Sequence, residues 1–148
     1  MYLDTQNIYH HYPGSYTTAK RHVFEVKVSL IESVAGNYGP IALRHAFWPQ
    51  DGKYSKAEDE WVHSTLESAG YTVRSGASRK DTDTTMAGVC MDDLHKKRFT
   101  RAVIVSGDAD FAVLGRYLHQ YRKPFIVIAG KGSIRDGSEL QTYAEKTF

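Results

Sequence analysis

The sequence predicts a three-layer α/β/α sandwich on a parallel sheet, and three observations carry that prediction. Short β-branched or apolar runs alternate with longer segments whose apolar residues recur at helical spacing. Two of the short runs, Met1-Tyr2-Leu3 and Ala102-Val103-Ile104-Val105, lead into an aspartate and then a polar turn, the arrangement of strands that end at a ligand-binding edge. The 148 residues contain no repeat, low-complexity stretch or linker, so they fit one domain with a proper core. Strands alternating with helices imply βαβ units, and right-handed crossovers restrict their order severely.

The elements follow in turn. Residues 18–35 carry two patterns: Phe24, Val26, Val28 and Leu30 alternate as in a strand, whereas Val23, Val26, Leu30 and Val34 keep helical spacing. Length decides for a helix, stopped by Gly36-Asn37-Tyr38-Gly39-Pro40. Residues 41–48 read as a strand and Pro49-Gln50-Asp51-Gly52 as a turn. Ser55, with Glu58 three positions on, has capping-box spacing; Trp61, Val62, Thr65, Leu66 and Ala69 form an apolar face, and Gly70 closes the helix. A short strand at 71–74 and a polar loop at 75–80 precede a helix over 84–95. The strand at 102–105, a helix over 110–121, a strand at 124–129 and a closing helix over 138–148 complete the chain.

Bulk properties exclude several classes. No apolar run approaches the roughly 18 residues of a membrane span. The opening Met-Tyr-Leu-Asp has neither the basic nor the apolar part of a secretory leader. The single cysteine, Cys90, rules out an internal disulfide framework, reads as a core residue and fits a reducing cytosol, so a cytoplasmic protein is expected. A net charge of +2 does not announce nucleic-acid binding, but Arg79-Lys80 and Lys96-Lys97-Arg98 with Arg101 are local basic clusters. Taken alone, each reads first as a solvated face.

Most catalytic motifs are missing. Gly130-Lys131-Gly132-Ser133 lacks the spacing of a phosphate-binding loop, and Thr5-Gln6-Asn7 stands where a dinucleotide fingerprint would place glycines. There is no zinc pattern and no serine elbow; His10-His11 reads as turn chemistry. Asp81-x-Asp83-x-Thr85 matches the nucleophile motif of haloacid-dehalogenase phosphatases, but that motif needs a buried strand before it, and residues 74–80 are polar.

The acids remain. Ser106-Gly107-Asp108-x-Asp110-Phe111 closes the most apolar strand, and two readings fit it. Asp110 could cap the next helix, with Asp108 in the turn. Alternatively, the pair could bind a hard divalent cation, provided Asp4 arrives from a neighbouring strand.

Read together, Asp4-x-x-Asn7, Lys80-x-x-Asp83 and Ser106-Gly107-Asp108-x-Asp110-Phe111 resemble an NYN domain, the PIN-like nuclease branch that includes LabA and DUF88 proteins. The resemblance spans nearly the whole chain. It implies a parallel PIN-like sheet ordered 3-2-1-4-5, which sets Asp4 beside Asp108 at the topological switch point. It also implies a metal-dependent ribonuclease with one or two Mg²⁺ or Mn²⁺ ions; the tyrosines Tyr9, Tyr12 and Tyr54, as candidates for stacking on unpaired bases, favour single-stranded RNA as partner. On that reading Asp4 and Asp108 are primary ligands, Asp83 and Asp110 complete the cluster, and Asn7 and Ser106 orient it. Arg79, Lys80, Lys96, Lys97 and Arg98 would hold phosphates, and Tyr9, Tyr12 and Tyr54 would either stack on bases or pack. A homodimer is compatible with it.

One departure matters. Such domains carry a further acid about six residues beyond the Lys-x-x-Asp aspartate, where this chain has Val89. Asp92 and Asp93 continue nearly the same helical face and either replace that acid or pair with Lys96 and Lys97. Glu145 stands in place of a closing aspartate. The competing expectation is a catalytically degenerate domain that binds RNA or protein.

Overall fold

Tyr2–Asp4 (β1), His45–Pro49 (β2), Thr72–Gly76 (β3), Ala102–Val105 (β4), Phe125–Ile128 (β5) and Lys146–Thr147 (β6) form one sheet in the order β3-β2-β1-β4-β5-β6. Every pairing is parallel. The computed structural model describes residues 1–9, 18–130, 133–134 and 138–148. The expected order 3-2-1-4-5 holds, extended at one edge by β6.

The helices are α1 (Thr5–Tyr9), α2 (Thr18–Gly36), α3 (Lys56–Ser68), α4 (Arg79–His95), α5 (Ala112–Gln120) and α6 (Glu139–Tyr143), with a 3-10 turn at Ala109–Phe111 before α5. Because side chains alternate across a strand, the central strands feed two cores. Leu3, Val103 and Val105 join Phe24 and Val28 of α2 and Val62 and Leu66 of α3 on one face. On the other, Tyr2, Ala102 and Ile104 join Met86 and Cys90 of α4, Leu114 and Leu118 of α5 and Leu140 of α6. Burial on both faces explains why these strands read as continuous apolar runs.

Local chemistry sets the boundaries. Ser55 caps α3 by accepting from the Glu58 amide at 3.2 Å. The Glu58 carboxylate turns inward to Tyr9 and Lys20, so only half of the expected capping box forms. Gly70, at φ +85°, ends the helix in a conformation that favours glycine.

Several expectations are corrected. The polar turn after β1 is the helix α1, and β2 is confined to His45–Pro49 rather than 41–48. β3 runs on to Gly76. The α4 helix begins five residues earlier than its apolar pattern because Ser78 caps it, accepting from the Asp81 amide at 3.1 Å. The expected helix over 138–148 is the short α6 followed by β6. Leu140 anchors one turn, after which Glu145 and Phe148 donate backbone bonds to Phe125 and Val127. The turn residues His10-His11, Tyr12, Lys131 and Gly132 lie outside the described residues.

Candidate active site

Parallel pairing puts the carboxyl ends of all six strands along one edge. Leu3 pairs with Val105, so Asp4 and Ser106 leave neighbouring strands side by side. The Ser106 hydroxyl donates to Asp4 Oδ2 at 2.7 Å and accepts from the Asp108 amide at 3.1 Å. Asn7, one turn into α1, donates its amide to Asp4 Oδ1 at 3.2 Å, and its side-chain oxygen accepts from the Gly107 amide at 3.2 Å. These bonds tie strand ends about a hundred residues apart in sequence into one frame. Gly107 must be glycine because a β-carbon there would lie 2.0 Å from the Ser133 hydroxyl.

Asp108 is the helix cap, and Asp110 is not: Asp108 Oδ1 accepts from the Asp110 amide at 3.0 Å at the start of the 3-10 turn. Its other oxygen accepts from the Arg79 guanidinium at 2.5 Å. The first turn of α4 overhangs this edge, and there Arg79 also lies 3.9 Å from Asp83.

Electrostatics bind the four acids into one system. Asp4 is only 5 % exposed, and burial raises its pKa against the opposing pull of Ser106, Asn7 and Arg79. Asp83 is pushed up to about 6, first by burial, then by the negative charge of Asp4, and also by Asp108 and Asp110, with Arg79 opposing. Among the described residues, the Arg79 guanidinium offsets part of the charge of these clustered carboxylates.

A family profile for the NYN domain matches residues 1–146, almost the entire chain. The chain belongs to the NYN family. NYN domains are PIN-like nuclease domains that act on RNA and in general use divalent metals. Comparison with curated proteins gives no match.

The donor chemistry of this NYN domain fits a hard cation: carboxylates from Asp4, Asp83, Asp108 and Asp110, with the Ser106 hydroxyl and the Asn7 amide beside them. Among the described residues, no three such side chains stand close enough to chelate an ion together. Arg79 meets the charge instead, on Asp108 and Asp83.

Other expected site residues are placed elsewhere. Neither Asp92 nor Asp93 joins the cluster: nine and ten residues along α4 from Asp83, they lie about 14 Å away at the opposite edge of the sheet. Asp92, 52 % exposed, pairs with Lys96 at 2.7 Å. Asp93 is buried, accepts from the Tyr2 hydroxyl at 2.9 Å and Arg98 at 3.0 Å, and lies 3.1 Å from His45. Val89 packs against the second core. Lys96, Lys97 and Arg98 therefore belong to the far edge, remote from any phosphate at the acids. Glu145 is also there, paired with Arg101 at 3.1 Å. Of the stacking candidates, Tyr9 is buried against Phe24 and Trp48, and Tyr54 tilts onto Trp48 at 4.4 Å. Asp81 serves the Ser78 cap in a helix rather than a strand end, which removes the phosphatase reading.

Sequence reasoning missed two features. Ser133, folded against Gly107, has no local signature. The groove between α4 and α5 could have been read from two matching stripes, Lys80-Asp83/Thr84-Ala87/Gly88-Met91 and Asp110-Val113/Leu114-Tyr117. No helix among the described residues is long and apolar enough to cross a membrane.

Proposed function

We propose that this NYN domain is a metal-dependent endoribonuclease that hydrolyses phosphodiester bonds in single-stranded RNA. One observation carries the reading: the Ser106 hydroxyl joins the Asp4 carboxylate to the Asp108 backbone amide at neighbouring strand ends, with Asp83 close enough for the charges of Asp4 and Asp108 to raise its pKa. Asp4 and Asp108 would hold Mg²⁺ or Mn²⁺, with Asp83 and Asp110 completing the donor set. When bound, the ion supplies a water of lowered pKa and offsets charge at the scissile phosphate.

The protein's own groups do the positioning. Ser106 and Asn7 fix both oxygens of Asp4, so its carboxylate cannot rotate freely. Gly107 permits the turn that carries Asp108 over the strand end. Arg79 and Lys80 lie beside the acids and would meet the phosphate backbone. With a cation held by the acids, the Arg79 guanidinium would no longer be needed as counter-charge to Asp108 and could turn toward phosphate. The lone buried thiol of Cys90 supports a cytoplasmic setting.

The competing reading, a degenerate RNA-binding module, is favoured by one observation, a half-buried Val89 packed against the second core where an acid is expected. Incubation of 5′-labelled single-stranded RNA with Mn²⁺ tests the choice. The nuclease reading requires cleavage that stops with chelator and with Asp4→Asn. RNA that is bound but never cut, by a folded protein, would favour the degenerate module.

A further inference from the structure

Two of the acids, Asp83 and Asp110, lie at the mouth of a groove that runs down between α4 and α5. Its volume is about 460 Å³, within the roughly 300–1,000 Å³ range of clefts that hold small organic groups. At the mouth stand Lys80, Asp83 and Asp110; below them the floor is Ala87, Met91 and Leu114. Two large side chains on the rim stay open to solvent, Val113 at 55 % and Tyr117 at 44 % exposure. The apolar strip opens at the proposed metal site, a concave apolar surface with a few polar groups at one end.

Gly88 gives the groove its form. It stands exposed in the body of α4, where glycine is a poor helix former, and no crowding requires it: a β-carbon there would meet nothing within 4 Å. What its missing side chain does is leave the groove open. We propose that this groove seats the base of the nucleotide next to the scissile phosphate. The inference rests on the nuclease reading above and names the part of the substrate held beside that site.

Charge decides what enters. The carboxylates of Asp83 and Asp110 at the mouth repel a phosphate from the depth of the groove, whereas a neutral, flat base fits an apolar floor. Lys80 at the same mouth then lies within reach of the backbone phosphate that stays outside. The Tyr117 ring supplies a stacking face, which tolerates any base, and the apolar floor reads no base edge. The subsite therefore selects unpaired nucleotides rather than a sequence, because a base held in a duplex cannot turn into it.

The test uses an RNA whose cleavage position has been mapped, together with versions in which each nucleotide flanking that bond lacks its base. Wild-type cleavage should fall about tenfold or more when one of the two bases is removed. Gly88→Leu, which fills the groove and improves helix propensity, should lose as much on the intact RNA and nothing further on the abasic one. Tyr117→Ala, at an exposed position, should lose several-fold in the same pattern and serves if Gly88→Leu does not fold. Wild-type indifference to both base deletions, or undiminished cleavage by Gly88→Leu, would overturn the groove alone and leave the nuclease reading standing. An altered oligomeric state in Gly88→Leu with unchanged abasic sensitivity would assign the groove to self-association and overturn it too. Failure of the wild type to cut any RNA would remove the nuclease reading and this inference with it.

Discussion

Arg79 is the residue on which the charge state of the site turns. It is bonded to Asp108 and lies 3.9 Å from Asp83, so on the proposed reading Arg79 and a bound metal would offer alternative compensation for the same acids. Arg79→Gln should lower the melting temperature of the metal-free protein and enlarge the stabilisation by Mn²⁺; an unchanged Mn²⁺ shift would separate Arg79 from the cation site. Asp83 gives a signed pH dependence. Its folded pKa, about 6, lies above its ordinary value of 3.8, so the fold favours the protonated form. The associated stability is present below about pH 4 and is lost as pH rises through 6. In metal-free protein, Asp83→Asn should therefore be more stable than wild type at pH 7.5, by on the order of 1–3 kcal/mol, with the gap closing near pH 4. Thermal melts at both pH values check it. At this scale the acids were legible because Asp-x-x-Asn and Ser-Gly-Asp-x-Asp are local strings after apolar runs. The Arg79 pairing was not, since the bond crosses from α4 to the end of β4.

At the scale of elements, α4 shows what periodicity conveys and what it omits. Its apolar positions fixed which face meets the sheet, and Met86, Cys90 and Leu94 are buried as that face demands. Asp92 and Asp93 continued the face of Val89, yet phase around a helix says nothing of distance along it. At about 1.5 Å per residue, ten residues carry a side chain from one sheet edge to the other. The closing strand was hidden for a related reason: Leu140 and Tyr143 keep helical spacing for little more than one turn, and Lys146–Thr147 are drawn into β6 by the open edge of β5. Gly88 makes an element-scale prediction. Gly88→Ala should stabilise α4 by about 0.5–1 kcal/mol, read as a higher urea midpoint with an unchanged slope. A loss of stability would mean that a close contact requires the glycine.

For the whole molecule, parallel topology turns two distant sequence strings into one site. Strand order 3-2-1-4 places β1 beside β4, and every right-handed crossover returns the chain so that strand ends share an edge. The two basic clusters singled out in the sequence divide along the same axis. Arg79 and Lys80 belong to the acid edge, while Lys96, Lys97 and Arg98 end α4 at the other. RNA affinity should therefore fall gently with salt, with a slope near −0.7 for each phosphate met, about −1 to −2 in all. Lys97→Ala should leave that slope unchanged, while Lys80→Ala should flatten it; the reverse pattern in a salt titration would move the RNA path to the far edge.

The most direct measurement is cleavage of one 5′-labelled single-stranded RNA in Mn²⁺ by wild type, Asp108→Asn and Asp92→Asn. With the centre at the ends of β1 and β4, Asp108→Asn loses at least about a hundredfold. Asp92→Asn, at the far end of α4, cuts as wild type does. Full cleavage by a folded Asp108→Asn protein, or its loss in Asp92→Asn, would contradict the placement of the nuclease centre.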